Sequence, residues 1–285
     1  MLFKNATVFG AVFGAGMLDV THLPVYEPAT PGALRSEGFS PVYEGALEAR
    51  HSGHILLKYT IEKKVMPKPA IDAVLRARAL EMEDEQGFYP GKKALKDLRE
   101  RVFDELLPRA LSVPRSCWVW IDTVNNRLIV DSTTVDTVDS VTRALLKAVP
   151  KLDLRSVQAW PGVQAMTDWV MESGEHVPVD FTIDDDAKLE KAGEKGTVIT
   201  FKKGDLFAPE FEAHIGHGAR ITSLAMTYKD RVSFVMTPNG SLRRLRGLDI
   251  LKEAQAVADA DAFVNDFMLA ALETSALIDA VEALA

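Results

Sequence analysis

Apolar residues recur at helical spacing on both sides of a glycine-rich turn at residues 87–91. Pro67 opens the first stretch, since proline fixes φ and lacks an N–H that a first helical turn does not need. Ile71 and Val74 then begin its apolar stripe. The second stretch carries its stripe at Leu95, Leu98, Val102, Phe103, Leu106 and Leu107. Pro108 ends or kinks that helix, so the pattern predicts a two-helix arm over residues 67–113.

Strand and helix patterns alternate irregularly through the rest of the chain. Strands are predicted at residues 3–13, 54–61, 117–122, 128–130, 177–183, 197–201, 221–228, 232–236 and 242–245. Helices are predicted at residues 135–149, 167–171, 209–217, 248–258 and 263–284. This order favours an α+β fold over a parallel doubly wound sheet. It suggests an N-terminal strand and loop region over residues 1–63, the arm over 64–115, and a body with an acidic C-terminal helix over 116–285.

Charge is distributed unevenly between residues 58–115, which include the arm, and the rest of the chain. The whole sequence has 33 Lys and Arg against 41 Asp and Glu, a net charge of −8. Residues 58–115 contain 13 basic and 10 acidic residues, or +3, which leaves −11 for the remainder. A relatively basic helical arm on an acidic body fits a polyanion-binding element, and equally an ordinary solvated surface beside a core stripe.

The sequence contains no recognisable catalytic or metal-binding arrangement, so we predict no catalytic residue, no metal and no cofactor. His214 and His217 lack the spacing and the glutamate of a zinc protease helix. Asp184, Asp185 and Asp186 suit the N-terminus of a helix, where carboxylates are favoured. The same run could hold Mg²⁺ in a nuclease, but three adjacent carboxylates cannot all face one ion. The sequence contains no Walker A loop, dinucleotide fingerprint or nucleophile elbow.

Basic residues cluster at four places along the chain, and no base-reading motif accompanies them. The candidate phosphate-binding residues are Lys63, Lys64, Lys92, Lys93, Arg109, Lys202, Lys203, Arg243 and Arg244. Each cluster alone is a common surface feature. Together they fit sequence-independent binding, in which phosphate contacts supply affinity and little specificity.

Nine short stretches, in this order along the chain, resemble the recombination-associated RdgC family of bacteria. They are residues 1–5 (MLFKN), 63–67 (KKVMP), 89–93 (YPGKK), 106–110 (LLPRA), 120–122 (WID), 167–169 (TDW), 202–206 (KKGDL), 231–234 (RVSF) and 241–245 (SLRRL). The match extends over nearly the whole length. Residues 10–45 depart from the family pattern, which makes this chain a divergent member.

The resemblance implies a horseshoe-shaped α+β subunit whose homodimer closes into a ring around double-stranded DNA. It also implies binding without marked sequence preference and restraint of the RecA recombinase. A lysine of the family's KKxDL motif contributes to DNA binding and falls on Lys203. An aromatic residue after the PRA motif helps to close the gate between subunits, and Leu111 stands there in this sequence.

We therefore expect a non-catalytic DNA-binding protein of the bacterial cytoplasm and nucleoid, with no membrane partner. A ring would place basic residues inward and carboxylates outward, which explains how an acidic protein binds DNA. Two alternatives remain open at this stage. One is a metal-dependent nuclease that uses Asp184, Asp185 or Asp186, and the other is a protein-interaction module without DNA contact.

Overall fold

The computed structural model describes residues 3–13, 20–191, 196–248 and 260–285. The chain divides into a body unit, residues 1–22, 41–57 and 118–285, and an arm unit, residues 23–40 and 58–117. The strands are β1 Ala6–Val12, β2 Arg35–Ser40, β3 Glu48–His51, β4 His54–Lys64, β5 Ser112–Asp122, β6 Arg127–Val130, β7 Asp153–Ser156, β8 Phe181–Lys191, β9 Val198–Phe201, β10 Ala219–Tyr228, β11 Val232–Thr237 and β12 Ser241–Gly247. The helices are α1 Lys68–Gln86, α2 Lys92–Leu106, α3 Val135–Ala148, α4 Val163–Met171, α5 Pro209–Gly216 and α6 Ala260–Glu282. The predicted α+β class is confirmed, with antiparallel pairing in the sheet.

The arm unit consists of a strand pair and two packed helices. β2 pairs antiparallel with the second half of β4, from Arg35 opposite Lys63 to Ser40 opposite Lys58. α1 ends at Gly87, whose φ of 80° is the left-handed conformation that glycine adopts without a steric penalty. α2 packs against α1, and its stripe buries Leu98 and Val102 as predicted. Leu107–Arg109 then forms a single 3₁₀ turn at Pro108.

The body unit is built on an antiparallel sheet. Its strand order is β9-β8-β10-β11-β12-β1-β6-β5. One edge of β1 pairs with β12 at its first residues and with β7 at its last residues. β10, β11 and β12 correspond to the strands predicted at residues 221–228, 232–236 and 242–245, and they form an antiparallel meander. β5 and β6 include the strands predicted at residues 117–122 and 128–130, and they form an antiparallel hairpin whose turn contains Asn126 with a φ of 54°.

One continuous core fills the body unit. It joins Trp120 of β5 and Met226 of β10 to the fully buried Phe267, Leu277 and Ile278 of α6. The C-terminal end of α6 is also held electrostatically, because the largely buried Arg127 pairs with Asp279 (Nη1 to Oδ1, 2.6 Å) and with Glu282. The acidic residues of this helix therefore serve partly as anchors for a buried cation.

Two predicted elements are wrong, and one cannot be compared. The strand expected at residues 177–183 begins only at Phe181 and continues to Lys191. Asp184, Asp185 and Asp186 therefore lie inside β8 and do not cap a helix. The helix predicted at residues 248–258 falls, apart from Leu248, outside the described residues. Within the described part of the chain, no helix is long and apolar enough to cross a membrane.

Candidate nucleic-acid interface

The three aspartates of β8 form an irregularity in the strand pairing. Ile183 pairs with Met226 and Ala187 pairs with Leu224, so Asp184, Asp185 and Asp186 together oppose a single residue of β10, Ala225. The surplus residues must bulge out of the ladder, and bulges re-aim side chains. This explains how three consecutive carboxylates, which strands disfavour, are accommodated in the middle of β8.

A second bulge lies on β12. Val235 pairs with Arg243 and Ser233 pairs with Arg246, so two residues of β12 oppose Phe234 alone. One of them is Arg244, whose φ of 53° lies in the left-handed region. A positive φ in a residue other than glycine is uncommon and costs energy, and such residues concentrate at functional sites.

The turn after β9 is fastened to the aspartate bulge by its main chain. The Lys203 N–H donates to Asp186 Oδ1 at 3.1 Å, and the Gly204 N–H donates to the carbonyl of Asp185 at 3.2 Å. Lys203 also has a positive φ, 51°. The turn therefore holds its backbone donors toward β8, while the Lys202 and Lys203 side chains are exposed.

The two bulges and the turn border one cleft of about 150 Å³ on the sheet of the body unit. Its lining residues come from five adjacent strands and the turn: Asp186, Ala187, Lys188, Thr200, Phe201, Lys202, Ser223, Val235, Arg243 and Arg244. One water needs about 10–15 Å³ of such space, so the cleft has room for a phosphate group with water. Four of the ten lining residues are basic and one is acidic, which makes this a cationic cleft on an acidic protein.

Arg244 is positioned by the N-terminal segment. Its backbone N–H donates to Asn5 Oδ1 at 3.5 Å, and the neighbouring Leu245 N–H donates to the Lys4 carbonyl at 2.8 Å. Asp131 in turn accepts the N–H groups of Lys4 and Asn5 through one oxygen, at 3.0 and 2.7 Å. Burial raises the pKa of Asp131 to about 6, although these hydrogen bonds act in the opposite direction. A partly buried carboxylate thus anchors the segment on which the Arg244 bulge rests.

Asp184 has surroundings different from those of Asp186. Its carboxylate accepts from the Thr227 hydroxyl at 3.0 Å, and burial together with the two neighbouring aspartates raises its pKa. Among the residues that the structure describes, no group of three or more His, Cys, Asp and Glu side chains is arranged to hold a metal ion.

The remaining candidate residues belong to the arm unit. Lys64 donates its Nζ to the carbonyls of Thr30, Pro31 and Leu107, with the first and third at 3.1 Å, so it ties backbone segments of the unit together. Lys63 and Arg109 are exposed. The exposed Lys92 and Lys93 form the first turn of α2 behind an N-cap glycine, Gly91, without a side-chain cap. Lysines are unfavourable beside the positive end of a helix dipole unless an anion approaches.

Leu111, the predicted gate residue, follows the 3₁₀ turn of the arm unit. Its side chain is 81% exposed, although leucine side chains are usually buried. Val113, two residues on, is also exposed. The arm unit therefore presents an apolar edge at the start of β5.

Comparison with known proteins matches residues 1–284 to a family model described as "Putative exonuclease, RdgC". The match covers essentially the whole chain. The chain belongs to the RdgC family. The resemblance drawn from the nine short stretches is thereby confirmed.

Curated RdgC-family relatives align over most or all of their length. A protein of Paraburkholderia phymatum is 41% identical over 261 residues, which cover 90% of this chain and 85% of the relative. One of Herminiimonas arsenicoxydans is 36% identical over 295 positions, covering 100% and 98%. One of Bordetella pertussis is 38% identical over 289 positions, covering 98% and 96%. All three are called recombination-associated protein RdgC, a name that denotes a recombination protein and no enzyme activity.

The structure brings Lys202, Arg243 and Arg244 together at one cleft, although they belong to two separate basic clusters of the sequence. Sequence reasoning missed Lys188, Asn5 and the Lys203 N–H, and it assigned Asp186 to the wrong kind of element. A weak signal did exist for Asn5, which stands in the first of the family-like stretches. The contact between Asp186 and Lys203 depends on strand register and has no local signature.

Proposed function

We propose that this RdgC-family protein binds double-stranded DNA without sequence preference and acts in recombination by restraining RecA. The cleft between the β8 and β12 bulges carries the proposal. Arg243, Arg244 and Lys202 line it, and a guanidinium suits a phosphate geometrically as well as electrostatically. No base-reading motif stands beside these residues, so we assign the binding energy to phosphate contacts.

The dimensions of the sheet support contact with several phosphates. Phe201 pairs with Ala187, Ala187 with Leu224, and Leu224 with Met236, next to Val235, which pairs with Arg243. The cleft lining therefore lies in one row, two residues wide, across five strands. Four strand spacings of about 4.8 Å span about 19 Å. A DNA strand presents one phosphate per about 3.4 Å of helix axis, so a duplex along this row presents about five phosphates per strand.

The arm unit supports the proposal at a second place. The Lys92–Lys93 turn joins two ammonium groups to the free backbone N–H groups of a helix N-terminus, and both features favour an anion. We further propose that two subunits form a ring around the duplex and that the exposed Leu111 contributes to one contact between them. A protein held in this way would be nucleoid-associated in the cell.

A matched pair of arginine variants tests the binding site. Arg243→Gln removes a cleft guanidinium, whereas Arg246→Gln removes an exposed guanidinium of the same strand that does not line the cleft. Affinities for unrelated duplexes of equal length should agree for the wild type and should fall linearly with salt on logarithmic axes. Arg243→Gln should reduce the salt slope by about one and Arg246→Gln should change it less. A flat salt response, or a strong preference for one duplex, contradicts the proposal.

The family description names an exonuclease, and that alternative has its own test. Linear and closed circular DNA are incubated with the protein and Mg²⁺ or Mn²⁺, beside an Asp184→Asn variant. Shortening of linear DNA by the wild type and not by the variant would favour the nuclease. In the same preparations, the proposed role requires slower RecA-promoted strand exchange, and Arg243→Gln should weaken this effect.

A further inference from the structure

The Asp186 carboxylate accepts hydrogen bonds from two donors at the cationic cleft. Its Oδ1 accepts the Lys203 N–H at 3.1 Å, and its Oδ2 lies 3.2 Å from Arg244 Nη1. A backbone N–H in a left-handed turn and a guanidinium are a donor pair that also suits a phosphate oxygen. Asp186 is therefore seated where an anion from outside would be expected.

The ion pair between Asp186 and Arg244 is open to competition from another anion. The Arg244 side chain is 60% exposed and the Asp186 side chain is 33% exposed, so solvent and ions reach both groups. The pairing uses one nitrogen of Arg244, and exposed ion pairs of this geometry stabilise a fold little. The pair can therefore open without a large loss of folding stability.

Positive charge remains in excess around the cleft after the pairing of Asp186 with Arg244. Lys188 pairs with Glu190 at 2.7 Å, which leaves Lys202 and Arg243 as further cations of the lining. Asp185, next in the chain to Asp186, has an exposed side chain, and only its backbone carbonyl holds the turn. Asp186 is thus the only acidic residue among the described residues that line this cleft.

We propose that Asp186 is an internal substitute for a DNA phosphate, which an incoming phosphodiester displaces from Arg244 and from the Lys203 N–H. The inference rests on the proposed function and adds a role for an acidic residue in it. DNA binding at this place is then an exchange of one anion for another. Asp186 thereby limits affinity and keeps the complex reversible.

Asp186→Asn tests the exchange, with Asp185→Asn as the matched control. The asparagine oxygen can still accept the Lys203 N–H, so the turn keeps its support while the charge is lost. We expect Asp186→Asn to bind duplex DNA about tenfold more tightly at low salt, with a salt slope steeper by about one phosphate contact. Asp185→Asn removes the same charge from an exposed position and should tighten binding less than about threefold, without a change of slope.

Two results would overturn the inference. Weaker binding by Asp186→Asn would mean that the carboxylate positions Arg244 for DNA. Equal tightening by both variants would mean that only the overall charge of the bulge matters.

A DNA-free measurement separates this inference from the proposed function. Inorganic pyrophosphate should raise the melting temperature of Asp186→Asn more than that of the wild type or of Asp185→Asn, because the vacated donors accept it. If the wild type binds no DNA, the proposed function fails, while this shift still reports on the anion site. If pyrophosphate stabilises all three proteins equally, the exchange site is refuted whatever the DNA result.

Discussion

The substitution Lys203→Gly separates the contribution of the Lys203 side chain from that of its backbone N–H. Its φ of 51° costs an L-residue roughly 1 kcal/mol or more, and glycine escapes that cost. Glycine also increases the freedom of the unfolded chain, which costs about 0.5–1 kcal/mol. These terms nearly cancel, so Lys203→Gly should change the free energy of unfolding by less than about 1 kcal/mol while it keeps the N–H that donates to Asp186.

The loss of DNA affinity should be much clearer than the change in stability. A hydrogen bond to a charged group contributes about 1.5–3 kcal/mol, and the exposure of Lys203 favours the lower end. About 1.5 kcal/mol corresponds to roughly tenfold weaker binding. The salt slope should fall by about one, since one phosphate contact is removed. Lys203→Glu should lose more affinity, because it places a carboxylate beside the phosphates.

Lys229 provides a matched control. It too has a positive φ, 49°, but it lies on the turn between β10 and β11, whereas Lys203 lies in the turn that borders the cleft and donates its N–H to Asp186. Lys229→Gly removes the same charge from the same backbone conformation, so its salt slope should match the wild type. Binding is measured by fluorescence anisotropy over a series of salt concentrations, and stability by urea unfolding. Equal losses of affinity in both variants, or a loss of stability in Lys203→Gly that matches its loss of binding, would refute the assignment of Lys203 to phosphate.

Three further predictions concern stability and assembly. Arg127→Met should cost about 1–3 kcal/mol in urea unfolding, because Asp279 and Glu282 lose their shared cation. Burial raises the pKa of Asp131 from 3.8 to about 6, so its contribution to stability is fully present below pH 3.8 and is lost as pH rises through 6. Asp131→Asn should flatten this dependence and add up to about 3 kcal/mol above pH 6, measured by urea unfolding on both sides of that pH. Leu111→Asp should alter folding stability by under about 0.5 kcal/mol, since the side chain is exposed, but should shorten the lifetime on linear DNA more than on closed circles. Unchanged lifetimes on both DNAs would remove Leu111 from the proposed gate.

The helices of the arm could be predicted because their signals are local. Pro67 opens α1, Gly87 closes it in a left-handed conformation, and Pro108 ends α2 in a 3₁₀ turn. Each signal acts through the φ angle or the missing N–H of one residue, whatever lies elsewhere in the chain. The hairpin turn at Asn126 belongs to the same class, since asparagine tolerates its positive φ.

The aspartate run was mispredicted because its environment is not local. Three successive carboxylates favour a helix N-terminus over a strand, and that preference is correct for an isolated segment. Here β10 pairs on both sides of the run and leaves Ala225 alone opposite it, so the aspartates bulge and the strand continues. Strand register over some 40 residues of sequence decides this, and no periodicity in the run records it.

The same non-local register explains how an acidic chain builds a cationic cleft. Lys202 and Arg243 are 41 positions apart, and they meet through the pairings of five consecutive strands of the sheet. A regular ladder would turn successive side chains to opposite faces and so separate Arg243 from Arg244. The bulge at Arg244 breaks that alternation and lets both arginines line the cleft. The meeting of Arg243 and Arg244 at this cleft therefore depends on a pairing irregularity and not on the number of basic residues in the chain. The proposed DNA binding therefore predicts a lower affinity, measured by fluorescence anisotropy, for a variant in which regular register is restored in β12 with every arginine retained.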